Sequence, residues 1–191
     1  MNTEHCYQDE GGRQISLNSS ETAPIERPQA VKDIEITVKS GVVRIAANQS
    51  NNIEDITLAF ACKAEIFKFQ YPADLEIIIE AITDTTYMVE SISKIKSDTN
   101  DAIIDWIIQL HIVRHEKNLE KRLMKLFRLL TTRLGKRTPE GLLFEQTLSH
   151  ARIAEIVGST RSTVSRTIST LRKSQQIYID DLKGQIIIPA D

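Results

Sequence analysis

Between Ile34 and Ser91 apolar and polar residues alternate in short runs separated by turn residues. "IEITV" (34–38) is followed by Ser40-Gly41 and "VVRIAA" (42–47). "ITLAFA" (56–61), "AEIFKF" (64–69), "LEIIIEAI" (75–82) and "TYMVES" (86–91) complete the series. A period of two over runs this short predicts β-strands, and six of them with tight connections predict a small antiparallel sandwich or barrel. Residues 1–30 lack a period and are rich in Ser, Glu, Gln, Gly and Pro, so they read as a disordered tail. From about Asn100 the period becomes helical. Ile103, Ile104, Ile107, Ile108 and His111 recur at helical spacing, and Trp106, Leu110 and Ile112 widen the apolar arc. So wide an arc predicts burial on two sides, one against the β unit and one against a second copy of the same helix. A further helix over Lys117–Leu134 carries the stripe Leu119, Leu123, Leu126, Phe127, Leu130 and Leu134 beneath a basic face, and Gly135 ends it.

The C-terminal pattern is more specific. Ser149 is placed to cap a helix built on Ile153, Ile156 and Val157, with the small Ala154 where two helices approach closely. Gly158 suits the left-handed residue of a tight turn. Thr160 then opens a helix with the buried stripe Val164, Ile168 and Leu171. Helix, glycine turn and helix make a helix-turn-helix layout. "IYIDDLKGQIII" after it reads as a β-hairpin, a wing, with Gly184 in its turn and Lys183 at its tip. The fold class is therefore α+β, divided as a tail (1–30), a reduced β-barrel sensor-like unit (31–99), a long dimerisation helix (100–116) and a winged helix-turn-helix (117–191).

Charge sharpens the picture of the second helix. Between Glu155 and Asp180 there is no carboxylate, while Arg161, Arg166, Arg172 and Lys173 all fall there among nine Ser and Thr residues. At 100° per residue, Arg161, Arg172, Ser165, Ser169, Ser162, Lys173 and Arg166 succeed one another over an arc of about 140°. Guanidinium, ammonium and hydroxyl groups suit phosphates and base edges, which an acidic side chain would repel. Across the chain, residues 1–100 hold 9 Lys/Arg against 16 Asp/Glu, and residues 101–191 hold 15 against 10. A polyanion partner thus fits the C-terminal half and would be repelled by the N-terminal half. Cys6 and Cys62 are too few and too far apart for a disulfide framework or zinc site. No run reaches the 20 or so apolar residues of a membrane span. With a polar, acidic start in place of a signal peptide, the chain is expected to be cytoplasmic, or stromal if encoded in a plastid.

The order β unit, long helix, second helix, winged helix-turn-helix, together with "LSHARIAEIVGSTRSTVSRTISTL", resembles the Crp/Fnr family of transcription regulators. "TRSTVSR" carries the family's R-x-T-V-x-R pattern, and the wording is nearest the cyanobacterial and plastid global nitrogen regulator branch. The resemblance covers about 101–188 and is poor before that. It implies a homodimer on double-stranded DNA with a near-palindromic operator. Arg161 and Arg166 would read bases, with Ser162 and Ser165 beside them. Ser162 stands where the cyclic-AMP receptor branch has a glutamate, so the half-site should differ from that branch's. Ser149, Thr160 and Thr163 match phosphate-holding positions, to which the cationic face adds Ser169, Arg172 and Lys173. Ile103, Ile104, Ile107, Ile108 and His111 would form the dimer interface. The loop Gly135–Gly141 corresponds to a surface that touches RNA polymerase in activators.

Departures from the family limit the cofactor. "GVVRIAA" has an Arg and an Ala but lacks the Gly-Glu of a cyclic-nucleotide cassette, and no N-terminal cysteine set for an iron–sulfur cluster is present. No cofactor or metal is expected, and another small effector is left open. His111 and His115, at i and i+4, are read as interface or surface residues. An enzyme of the metal-cupin type is set aside because no histidine lies between Ile34 and Ser91. The remaining alternative is a winged-helix module that contacts the transcription machinery without reading DNA sequence.

Overall fold

A computed structural model describes residues 12–27, 33–49, 55–92, 102–146 and 148–189. Eight strands precede the helices: β1 (Arg13–Leu17), β2 (Thr22–Pro24), β3 (Asp33–Ser40), β4 (Val42–Gln49), β5 (Ile56–Cys62), β6 (Ile66–Gln70), β7 (Leu75–Ala81) and β8 (Thr85–Ile92). They form two four-stranded antiparallel sheets, ordered β1-β8-β3-β6 and β2-β7-β4-β5. Alternation places Ile34, Ile36 and Val38 of β3 and Val43, Ile45 and Ala47 of β4 in one core with Phe67, Ile77, Ile79 and Tyr87. The six anticipated strands all form.

The expected tail over residues 1–30 needs correction between Arg13 and Pro24. Arg13–Leu17 pairs with Thr85–Val89, and Thr22–Pro24 pairs with Ile78–Glu80. Ile15 and Leu17 pack on the core, and Ile25 is buried in it. Edge strands of five and three residues take their stability from the ladder they join, so their own sequence shows little period. The β unit is accordingly fuller than the reduced six-strand version anticipated. Residues 1–11, 28–32 and 93–101 lie outside the described residues, Cys6 among them.

Strand β4 is buried on both faces, from Val43 to Ala47. One face lines the sandwich. The other, bearing Arg44 and Ala46, lies under helices. The pairing of β4 with β5 shifts by one residue between Ile45 and Ala46, so Thr57 joins Phe60 on the Arg44 side.

Helix α1 (Ala102–His115) buries Ile103, Trp106, Leu110 and Val113, with the Trp106 ring tilted on Phe60 at 5.6 Å. Ile104, Ile107, Ile108 and Ile112 stay 42–53% exposed. Ile103 therefore belongs to the intrachain core and is withdrawn from the set expected at a dimer interface. Its position one residue before Ile104 turns it through about 100°, onto the β5 side. Helix α2 (Leu119–Leu134) starts at Asn118, whose side chain accepts from the Lys121 N–H, and packs back on α1. Arg133 pairs with Asp105 and lies over the Trp106 ring.

The chain then makes a hairpin, β9 (Lys136–Thr138) and β10 (Gly141–Phe144), where only a loop over Gly135–Gly141 was expected. Gly135, which ends α2, is extended rather than left-handed. Glycine is required there by space, since a Cβ would fall 2.3 Å from the Leu143 carbonyl oxygen. Helices α3 (His150–Val157) and α4 (Arg161–Lys173) follow, then the wing strands β11 (Tyr178–Asp180) and β12 (Gln185–Pro189). The wing joins the earlier hairpin in one sheet, ordered β11-β12-β10-β9.

Candidate nucleic-acid interface

The helix-turn-helix is built from local signals that all hold. The Ser149 side chain accepts the Arg152 N–H at 3.2 Å and so caps α3. Gly158 is left-handed (φ 64°), and its N–H returns to the end of α3. Arg122 of α2 donates to the Val157 carbonyl at 2.8 Å, adding a cation at that helix end. The Thr160 side chain accepts the Thr163 N–H at 3.2 Å and caps α4. Val164, Ile168 and Leu171 are buried against α2 and α3.

The opposite side of α4 presents Arg161, Ser162, Thr163, Arg166, Ser169 and Lys173 to solvent, with Ser165 half-buried. All four residues expected to read bases therefore lie on the outer part of one helix. Ser149 and Arg161 line a single cleft of about 310 Å³ between α3, α4 and the wing, together with His150 and Asp181. Five of the expected phosphate ligands are engaged within the chain, Ser149 and Thr160 as caps, Thr163 through its hydroxyl to that of Thr160 at 2.8 Å, and Arg172 and Ser169 elsewhere. Arg172 donates to Asp181 at 3.1 Å and to the Ile179 carbonyl at 3.4 Å, bracing the wing. Ser169 donates to the Ser165 carbonyl at 3.0 Å, and Thr167 and Thr170 do likewise one turn back. Such back-bonding satisfies the hydroxyl donors within the helix and leaves the hydroxyl oxygens able to accept. Of the expected interface set on α1, Ile104, Ile107, Ile108 and His111 are exposed. The His111 and His115 rings meet at 4.3 Å between centroids, tilted by 58°. Loop 135–141 is the β9–β10 hairpin, with Lys136 and Arg137 exposed.

The sequence reading missed what lies behind this face. The Arg44 side chain is 0% exposed, and each of its three nitrogens has an acceptor. Its Nε donates to Thr57 Oγ1 at 2.6 Å, one terminal nitrogen to Asp55 at 2.9 Å and Glu80 at 2.8 Å, and the other to Glu155 at 3.4 Å. Glu155 in turn accepts from the Thr57 N–H at 3.1 Å and its hydroxyl at 2.7 Å. Arg152 completes the cluster, 2.7 Å from Asp55 and 2.8 Å from Glu80. Arg44, Asp55, Thr57 and Glu80 come from the β unit, and Arg152 and Glu155 from α3. Burial opposes the charge of Arg152, but Asp55, Glu80 and Glu155 together hold it more firmly protonated. The available signal was an Arg set between Val43 and Ile45, inside a run otherwise apolar.

Burial would raise the Asp55 pKa, but hydrogen bonds and charge from Arg44 and Arg152 outweigh it and hold the group at about 2. A carboxyl whose folded pKa lies below its unfolded value stabilises the fold above the unfolded pKa, 3.8, and loses that contribution as pH falls toward 2. Asp55→Asn is therefore expected to flatten the acid limb of stability between about pH 4 and pH 2. Urea unfolding at stepped pH measures this, and a limb as steep as that of the natural chain would refute it.

Comparison with known proteins agrees with this geometry. Residues 121–190 match the Crp-like helix-turn-helix domain. The global nitrogen regulator of Synechococcus elongatus is 38% identical over 73 residues, covering 38% of this chain and 33% of that protein. A probable transcriptional activator of Rhizobium leguminosarum is 33% identical over 89 residues, 47% of this chain and 35% of that protein. The matched stretch thus spans about a third of the length of these relatives. Solved structures extend the likeness of fold to the β unit. FixK2 from Bradyrhizobium japonicum superposes with a TM-score of 0.65 at 17% identity, covering 93% of this chain and 92% of that one. The c-di-GMP responsive regulator CLP of Xanthomonas campestris gives 0.64 at 14% identity, covering 94% and 95%. The fold resemblance that sequence could follow only from about residue 101 therefore reaches through both sheets. Residues 121–190 thus carry a Crp-like helix-turn-helix domain, and the described residues share the fold of FixK2 and CLP.

Proposed function

We propose that the chain acts as a homodimer that reads a near-palindromic site in double-stranded DNA, with one α4 in each of two successive major grooves about 34 Å apart. The observation that carries this reading is the outer face of α4, cationic and hydroxyl-bearing without a carboxylate, on a capped helix-turn-helix. Arg161 and Arg166 are assigned to guanine edges, with Ser162 and Ser165 alongside. Ser149, Thr160, Thr163, Ser169 and Lys173 are assigned to phosphates. Arg172 acts chiefly by holding the wing. The exposed isoleucines of α1 supply the dimer face, and a signal received by the β unit acts by tilting α1. The chain works without a bound metal or cyclic nucleotide, in the cytoplasm, and the β9–β10 hairpin is available to RNA polymerase.

Arg161→Ala is expected to lower affinity for the selected site by about 1–3 kcal/mol while relaxing preference at one base pair. Competition binding against random duplex at two salt concentrations checks this. Equal losses on specific and random DNA would refute base reading. A second reading, in which the winged domain contacts protein, draws on Tyr178 and Leu182, which are 51% and 99% exposed on the wing. Binding to duplex DNA that falls steeply with salt favours the first reading, because released counterions set that slope.

A further inference from the structure

We infer that the Arg44–Asp55–Thr57–Glu80 cluster and the Arg152–Glu155 pair form a latch that sets the angle of the DNA-reading helix relative to the dimer helix. The inference rests on the dimeric reading above. Within residues 149–173 Glu155 is the only carboxylate. It is turned away from the outer face of α4 and into the β unit, where it accepts from the Thr57 N–H and hydroxyl and from Arg44. Arg152, one turn earlier on α3, reaches Asp55 and Glu80. Two points on α3 separated by nearly one turn are thus tied to one sheet, which fixes the helix in rotation as well as position.

The tie is transmitted in both directions. On one side, α3 and α4 share the core of Ile156, Val157 and Ile168 around the Gly158 turn, so α4 follows α3. On the other, Arg44 pairs across the strands with Glu80 and Phe60, and Phe60 carries Trp106 of α1. The dimer helix and the reading helix are therefore mounted on the same few residues of β4, β5 and β7. Charged groups suit this task better than apolar ones. Their burial is costly and repaid only in one geometry, so they restrict the arrangement more than they add net stability. An apolar contact of the same size would tolerate sliding.

Arg44, Arg152 and Glu155 are accordingly positioning residues for DNA reading and touch no DNA themselves. The test is the spacing of half-sites, which a purely stabilising role would not alter. Selection from random duplexes with the natural chain should enrich one half-site at one spacing. The Arg152→Gln/Glu155→Gln double variant keeps hydrogen-bonding groups of similar size at both positions. It should enrich the same half-site at several spacings, with affinity for an isolated half-site within about twofold of the natural value. Glu155→Gln alone serves as the milder variant should the double variant unfold, and it should broaden the spacing to a smaller degree. A folded variant that still selects a single spacing would overturn the latch. A natural chain that enriches isolated half-sites with no fixed spacing would overturn the dimeric reading, and the latch's role with it.

Discussion

Arg44→Met should lower the unfolding free energy by about 3–5 kcal/mol, the cost of removing one partner from a buried ionic cluster. The side chain is wholly buried and serves Thr57, Asp55, Glu80 and Glu155 at once. Without it, three carboxylates face one another with only Arg152 between them, and their mutual repulsion opposes closure of α3 on the sheet. The loss is expected to be largest above the carboxylate pKa range and to shrink in acid, where protonation relieves the repulsion. Urea denaturation at neutral pH and near pH 4 measures both parts. A loss under about 1 kcal/mol, typical of an exposed ion pair, would show that the cluster is solvated in solution.

On the proposed dimeric reading, Ile104→Asp/Ile108→Asp should leave the chain monomeric and reduce affinity for a full palindrome by at least about 100-fold, because linking two half-sites contributes a factor of ~10²–10⁴. Both side chains are about half exposed on the outer face of α1, so a carboxylate there is solvated in the monomer. Fold stability should change by less than about 0.5 kcal/mol, as for surface positions generally. Placed against a second copy of α1, the same carboxylates would be desolvated and set opposite like charge. Sedimentation equilibrium and binding to full-site and half-site duplexes measure the effect. Half-site affinity should be retained. A double variant that remains dimeric would move the interface elsewhere on the chain. The contrast with Ile103 is instructive, since Ile103→Asp would enter the core and act through folding instead.

The helix-turn-helix was legible because its determinants are local. Ser149, Gly158 and Thr160 act within one turn of themselves, as caps and as a left-handed hinge. Val164, Ile168 and Leu171 announce the buried face of α4 by spacing alone, and the same spacing leaves the arginines and serines outward. The six central strands were legible for the same reason, alternation being a property of each strand by itself. The edge strands β1 and β2 were not, because what holds Arg13–Leu17 and Thr22–Pro24 is a ladder with residues more than fifty positions away. The β9–β10 hairpin was missed likewise, since β10 is sandwiched between β9 and the late strand β12.

Arg44 shows where a linear reading must stop. In the sequence it is one cation in "GVVRIAA", comparable at most with a family motif. Its four acceptors come from positions 55, 57, 80 and 155. No local rule brings these together. They meet because the register shift in β4–β5 turns Thr57 to the Arg44 face and because α3 docks there. Likewise, the pattern of α1 shows that two faces are apolar, while packing on Phe60 decides that Ile103 is inside and Ile104 outside. Periods, caps and turns depend on neighbours in the chain, so residue order alone specified the central strands, the helices and the outer face of α4. Which charges are buried together, and which isoleucines remain exposed, depend on contacts between distant segments, and these exist only once the sheets and helices have assembled.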